Sequence, residues 1–166
     1  RKGWEKKISG TGSPKVDKLL NTKIEDLDIP KEWEEIITKP DGKRKKIILY
    51  NTGLSAMLKE NTRMLEKIKD VFRIFEENKD EVALLWRPHP LLEATLTSMR
   101  TELEEEYQEI KKGFFENRIG IYDDSPDLDR AIVLSDAYYG DESSVVWLYQ
   151  KTGKPIMIQN AEILSD

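Results

Sequence analysis

The sequence has 166 residues, 38% hydrophobic and 36% charged, a balance typical of one globular domain with a real core under a charged surface. The net charge of −5 does not favour non-specific binding of nucleic acid. The chain has no cysteine, which excludes disulfides and thiolate metal sites. No stretch approaches the roughly 18 consecutive apolar residues of a membrane span, so we expect a soluble, cytoplasmic protein.

The start of the chain and its two clusters of basic residues bear on its cellular location. The chain begins at Arg1 without methionine and no signal-peptide pattern follows, so we expect it to be cut from a longer protein. Basic residues cluster over residues 1–7 and 39–46. A solvated loop is the simpler interpretation. The alternative is attraction to a phosphate-rich acceptor or to the anionic inner face of the plasma membrane, which would make the protein peripheral.

Residues 1–45 are predicted to be an irregular lead-in between domains, with short helices over 15–20 and 31–37. From residue 46 to 166 apolar runs alternate with helical periodicity. Strands are predicted over 47–50, 82–86, 118–122, 137–139 and 155–158. The predicted helices comprise a long one capped by Ser55, a long one after Pro90, one capped by Ser125, and one over 144–152. Trp33, Trp86 and Trp147 are expected in the core.

This alternation predicts an α/β fold, with a Rossmann-like parallel sheet of about five strands and helices on both faces. Ligands of such sheets bind outside the carboxyl ends of the strands. Three segments follow strands in this way, over residues 51–53, 87–90 and 140–144, and we expect them to meet at one site. Neither a Walker sequence nor a G-x-G-x-x-G fingerprint is present, which disfavours the common ATPase and dehydrogenase classes.

The most informative of these segments, residues 140–144, joins a strand to a helix N-terminus, where free N–H groups and the helix dipole favour an anion. Ser143 and Ser144 add hydroxyl donors for phosphate oxygens. Simple capping of the helix by Asp141 or Ser143 is an equally good interpretation from local chemistry. The two roles can coexist.

His89 is the sole histidine of the chain and lies between two prolines, which restrict its backbone. Its imidazole could act as acid, base or phosphate-binding cation, although a lone histidine is more often structural or merely exposed. Arg87 could give a forked phosphate donor or a surface salt bridge. Gly12 and Lys15, in a turn before a helix, could contact an anion, although an ordinary surface turn is the better interpretation. One histidine without cysteine makes a structural zinc site improbable.

Several of these segments together resemble a known family. Gly12-x-Pro14-Lys15-x-Asp17 is similar to a G-x-P-R-x-D turn, and the strand before Asn51-Thr52 to one that ends in a threonine-containing loop. Trp86-Arg87-Pro88-His89-Pro90 resembles a histidine-proline segment. Asp136, the run 140–145 and Lys154-Pro155-Ile156 resemble S-D, T-D-Y-S-S-V and K-P-I. In this order, over nearly the whole chain, they resemble the CDP-glycerol glycerophosphotransferases of teichoic-acid synthesis.

The resemblance implies a GT-B-like architecture of two Rossmann-type domains, of which this chain would be the C-terminal, donor-binding half. An upstream acceptor-side domain would be missing, so the fragment should turn over poorly alone. The enzyme would move glycerol phosphate from CDP-glycerol to a wall polymer, with no separate cofactor. His89 and Arg87 would stabilise charge, Ser143 and Ser144 would bind the pyrophosphate, and Asp141 would order their turn. Further donor contacts would come from Thr52, Gly53, Lys15 and Gly12.

Two positions depart from the family pattern, since Gly140 stands where threonine is usual and Glu142 where tyrosine is usual. A carboxylate beside a pyrophosphate is unfavourable unless it points away or meets a cation. Two alternatives therefore stay open. One is a GT-B glycosyltransferase that uses a UDP- or GDP-sugar, and the other is a non-catalytic domain that binds a phosphorylated polymer.

Overall fold

The computed structural model describes residues 12–158, and its centre is a parallel sheet of five strands. The strands are β1 (Lys46–Thr52), β2 (Val82–Pro88), β3 (Gly120–Tyr122), β4 (Ala137–Gly140) and β5 (Ile156–Ile158). Their order across the sheet is β3-β2-β1-β4-β5. The chain runs outward from β1 to β3 and then returns to β4, so the strand order reverses between β1 and β4. Such a reversal is where open α/β sheets form their ligand crevice.

Helices connect successive strands, which confirms the predicted α/β class. Before the sheet come α1 (Pro14–Asn21), a short 3-10 turn (Ile24–Asp26) and α2 (Lys31–Ile37), so both short helices predicted for the lead-in are confirmed. The connecting helices are α3 (Leu54–Glu60), α4 (Thr62–Glu77), α5 (Leu92–Met99), α6 (Thr101–Glu116), α7 (Leu128–Leu134) and α8 (Ser144–Gln150).

Both faces of the sheet are covered, because successive side chains of a strand point to opposite faces. Along β1, Ile47 and Leu49 pack under α1, α2, α7 and α8. Tyr50 points the other way and packs under α3 to α6, together with Trp86 of β2. Burial of each large apolar side chain contributes about 1.5–3 kcal/mol, so these two cores hold the strand ends at fixed positions.

Each of the two long helices predicted from sequence is two helices. Asn61 adopts a φ of 50°, which separates α3 from α4, and Arg100, with φ −140° and ψ 54°, separates α5 from α6. A residue outside the helical region interrupts the i to i−4 hydrogen bonds, and asparagine tolerates positive φ better than most residues. The predicted cap at Ser55 is also wrong, since α3 begins at Leu54 with Gly53 before it.

Two further predictions are corrected. Asp127 caps α7 by accepting a hydrogen bond from the Arg130 N–H at 3.0 Å, whereas the predicted cap Ser125 donates its hydroxyl to Asp123 at 2.6 Å. Trp147 is 57% exposed and lies outside the core, in contrast to the fully buried Trp86. Helical periodicity places Trp147 on the outer side of α8, between the buried Val146 and Leu148.

Lys154 holds the C-terminal end of α7, where backbone carbonyls lack partners. Its Nζ donates to the carbonyls of Ile132, Val133 and Ser135 at 2.8, 3.1 and 2.6 Å. We expect Lys154→Met to lower the free energy of unfolding by about 2 kcal/mol, the value of a charge-assisted hydrogen-bond cluster of this kind. Urea denaturation measures the loss. Lys112, 73% exposed, is the control, and an equal effect of Lys112→Met would contradict the account.

Candidate functional site

A cavity of about 610 Å³ opens across the carboxyl ends of β1, β2 and β4. The three segments that follow these strands all line it, which confirms that they meet at one place. From them come Asn51, Gly53, Arg87, Pro88, His89, Pro90, Asp141, Glu142, Ser143 and Ser144. Helix α3 contributes further lining residues along its length, and α7 and α8 add one each: Leu54, Ser55, Ala56, Lys59, Glu60, Leu128 and Val145. Strands β1 and β2 extend to Thr52 and Pro88, so several of these residues belong to strand ends.

The turn after β4 begins at Gly140, which has a φ of 134°. A Cβ at this position would lie 2.5 Å from the carbonyl oxygen of Asn51, closer than any real contact. Threonine, the residue expected here from the family pattern, therefore does not fit this backbone without a shift. Glycine at position 140 thus permits the close approach of β4 to β1.

Ser143 has the capping role considered for it, and it also lines the cavity. Its hydroxyl oxygen accepts hydrogen bonds from the Val145 N–H at 3.3 Å and from Asn51 Nδ2 at 3.0 Å, so it caps α8. The same hydroxyl also interacts with the Tyr138 side chain, so a ligand in the cavity would compete with Tyr138 for its hydrogen. Ser144 is exposed at the cavity as the first residue of α8. Within residues 12–158 no backbone carbonyl accepts from the N–H groups of Glu142 and Ser143.

Asp141 ties this turn to the end of β1. Its Oδ2 accepts a hydrogen bond from the Gly53 N–H at 2.8 Å, and its Oδ1 lies 3.2 Å from Lys67 Nζ of α4. The Lys67 and Asp141 side chains are only 1% and 5% exposed. Tyr138 donates its hydroxyl to the Asp141 carbonyl at 2.6 Å, and burial raises the pKa of Tyr138, which keeps this donor protonated. Asp141 is thus held by three elements.

Arg87 reaches the cavity from the end of β2 while its Nη1 is fixed 2.7 Å from Asp123 Oδ2. This contact is not a surface salt bridge, since Asp123 is buried. Asp123 also accepts the Ser125 hydroxyl and lies 3.5 Å from Arg130 Nη2. Because a guanidinium has five N–H donors, the pair fixes Arg87 while other donors can meet an anion.

The backbone N–H of His89 donates to the Thr52 carbonyl at 3.0 Å, which joins the ends of β1 and β2. Its Nδ1 accepts from the Leu91 N–H at 3.1 Å. A neutral imidazole whose Nδ1 accepts carries its hydrogen on Nε2. The exposed His89 ring therefore has an Nε2–H donor for an oxygen atom at the cavity rim.

Three predicted donor contacts do not line the cavity. Thr52 is fully buried and its hydroxyl accepts from Trp86 Nε1 at 3.2 Å. Gly12 and Lys15 lie at the start of α1, and neither is part of the cavity wall. Asn51 belongs to a segment that the sequence placed at the site, although no role for its side chain was predicted. Lys67, which contacts Asp141 behind the cavity wall, was not predicted at all. The available signal for Lys67 was a lysine at helical spacing from the apolar Met64, Ile68 and Val71, on the side of α4 that faces the core.

Other residues that match the family pattern stabilise the fold at a distance from the cavity. Asp136 Oδ2 accepts from the Ile47 N–H at 2.8 Å, at the opposite end of β1. Lys154 holds α7 as described above.

No three acidic or histidine side chains in the described chain are placed to ligate a metal ion. None of its helices is long and apolar enough to cross a bilayer.

A parallel α/β sheet with helices on both faces and a cavity at its strand-order reversal gives the chain a Rossmann-like fold. The model of the CDP-glycerol:poly(glycerophosphate) glycerophosphotransferase family matches residues 2–164, and the chain belongs to this family. The family is one of transferases of the CDP-glycerol type, and its description implies a nucleotide donor and a polymeric acceptor. A search of curated proteins with this sequence finds no match.

Proposed function

We propose that this chain is the donor-binding domain of a transferase that moves glycerol phosphate from CDP-glycerol to a teichoic-acid-type wall polymer. The observation that carries the proposal is the convergence of Arg87, His89 and Ser143 on one cavity in a member of this family. All three offer hydrogen-bond donors, and Arg87 adds a permanent positive charge. A diphosphate needs such a set of donors.

In this proposal the chain acts mainly by positioning and by charge stabilisation. The acceptor hydroxyl attacks the phosphorus that carries glycerol, the new P–O bond forms, and the bond to CMP breaks. The hydroxyl proton passes to a base on the acceptor side of the site or to water. Arg87 and the His89 Nε2–H stabilise the negative charge that spreads over the transferring phosphate. Ser143 and Ser144 hold the phosphate that leaves with CMP. The acceptor side of the site would come from a domain upstream of this chain.

A second cavity of about 320 Å³ adjoins the first and shares Arg87, Pro88, His89 and Pro90 with it. Because these residues lie between the two cavities, a diphosphate beside them has room for a substituent on either side. CDP-glycerol needs this arrangement, since cytidine and glycerol lie at opposite ends of its diphosphate. The paired cavities therefore support a nucleoside-diphosphate donor more than a lone phosphate.

Glu142 favours one rival, a glycosyltransferase that uses a UDP- or GDP-sugar. Its side chain is exposed and lines the cavity. A carboxylate there is unfavourable beside phosphate but accepts hydrogen bonds from sugar hydroxyls. Nucleotide preference separates the two functions.

Calorimetric titration of the chain with CDP, CMP, UDP, GDP and ADP tests the proposal. We expect CDP to bind most tightly, and Ser144→Ala to weaken it about 3- to 10-fold, the effect of one lost hydrogen bond. Ser98→Ala on α5, whose hydroxyl bonds only to its own helix, is the control and should not change binding. Preference for UDP or GDP would support the rival instead. Binding of a phosphorylated polymer without any nucleotide would indicate a non-catalytic domain.

A further inference from the structure

Asp141 lines the cavity proposed to hold a diphosphate, and its carboxylate lies against Gly53, another lining residue. Asp141 is 3% exposed, so water screens its charge poorly. A like charge this close to a phosphate opposes binding unless a cation compensates it. The turn also depends on this carboxylate, because its Oδ2 accepts the Gly53 N–H at 2.8 Å. The site therefore requires the carboxylate for its shape. It also requires a cation that compensates the carboxylate charge when a phosphate binds.

Lys67 has the position and the charge to meet this requirement. Its Nζ lies 3.2 Å from Asp141 Oδ1, and its side chain is 1% exposed. It comes from the middle of α4, among the buried Met64, Leu65, Ile68 and Val71. Lys67 does not line the cavity, so its effect on a ligand there passes through Asp141.

We infer that Lys67 is a positioning residue of the donor site, one that neutralises Asp141 and holds its carboxylate against Gly53 so that the cavity accepts a nucleoside diphosphate. This inference rests on the proposed function, since it concerns the same cavity and ligand. A buried ion pair by itself is weak support for stability, and a role in the site gives a reason for a lysine in the core of α4. The other residues of that face are apolar.

The test compares two variants that break the same pair and leave opposite charges. Lys67→Met leaves a carboxylate beside the phosphates, whereas Asp141→Asn leaves an ammonium and keeps an amide oxygen for Gly53. The measured quantity is the ratio of CDP affinity to CMP affinity, by calorimetry at low salt. We expect Lys67→Met to lower this ratio about tenfold, because CDP carries more phosphate charge than CMP. Asp141→Asn should leave it equal to or above the wild-type ratio.

A purely structural role predicts that both variants change the ratio in the same direction or leave it unchanged, and either result would overturn the inference. Lys69→Met is the control, since Lys69 lies on the same helix but is 50% exposed and paired with Glu106. If Lys67→Met does not fold, Asp141→Asn decides alone, and a lowered ratio overturns the inference. Failure of the wild-type chain to bind CDP would remove the proposed function and this inference together, whereas the variants test the inference separately.

Discussion

Replacement of Arg87 by methionine is expected to weaken CDP binding by about 10- to 100-fold, the equivalent of one charge-assisted hydrogen bond of about 1.5–3 kcal/mol. The guanidinium lies between the two cavities and is fixed by Asp123 at 2.7 Å, so it needs little ordering when a ligand binds. Arg87→Lys keeps the positive charge but loses the paired N–H donors of the guanidinium. Its CDP affinity should lie between those of wild type and Arg87→Met. Calorimetric titration with CDP measures all three proteins.

Loss of Arg87 also leaves the buried Asp123 with one cation fewer, which would lower stability for a reason unrelated to ligand. Arg130 remains 3.5 Å from this carboxylate and limits the loss. The double variant Arg87→Met with Asp123→Asn removes the stranded charge. We expect it to regain stability while CDP binding stays weak. Recovery of binding together with stability would mean that Arg87 only supports the fold.

Replacement of Lys67 by methionine is expected to lower the free energy of unfolding by about 3–5 kcal/mol, because it leaves the buried Asp141 charge without its partner. This is a large share of the roughly 5–15 kcal/mol of a typical domain. Urea denaturation at neutral pH measures the loss. It should appear as a lower midpoint with an unchanged slope.

The double variant Lys67→Met with Asp141→Asn tests the cause of that loss. With neither charge present, we expect at least half of the lost stability to return, since no buried ion remains unpaired. Lys69→Met removes an exposed ion pair two residues away and should cost no more than about 1 kcal/mol. A double variant less stable than Lys67→Met alone would contradict this explanation, because it would mean that hydrogen-bond geometry at Gly53 dominates.

Sequence patterns were informative where the physics is local and periodic. Apolar runs such as that ending at Tyr50 predicted the strands, since buried parallel strands are apolar on both faces. The same reasoning placed His89 and Ser143 at strand ends, and hence in one cavity. The prediction that failed was that each long periodic segment forms one helix, since each forms two. Nothing in the apolar spacing indicates that Asn61 and Arg100 leave the helical region.

Contacts between residues far apart in the sequence are also not predictable from hydrophobic periodicity. The contact between Lys67 and Asp141 joins residues 74 positions apart, and the one between Arg87 and Asp123 joins residues 36 apart. Such partners become neighbours only through the strand order. The same limit applies to Thr52, whose place next to Trp86 follows from the register of β1 with β2.

A crystal structure of the chain with CDP-glycerol bound would show directly whether this cavity is the donor site. We expect the diphosphate to lie in the cavity across β1, β2 and β4, with oxygens in hydrogen-bond reach of Arg87, the His89 Nε2 and Ser143. A diphosphate bound elsewhere, for example at Lys15 or at the basic residues that precede β1, would contradict this expectation.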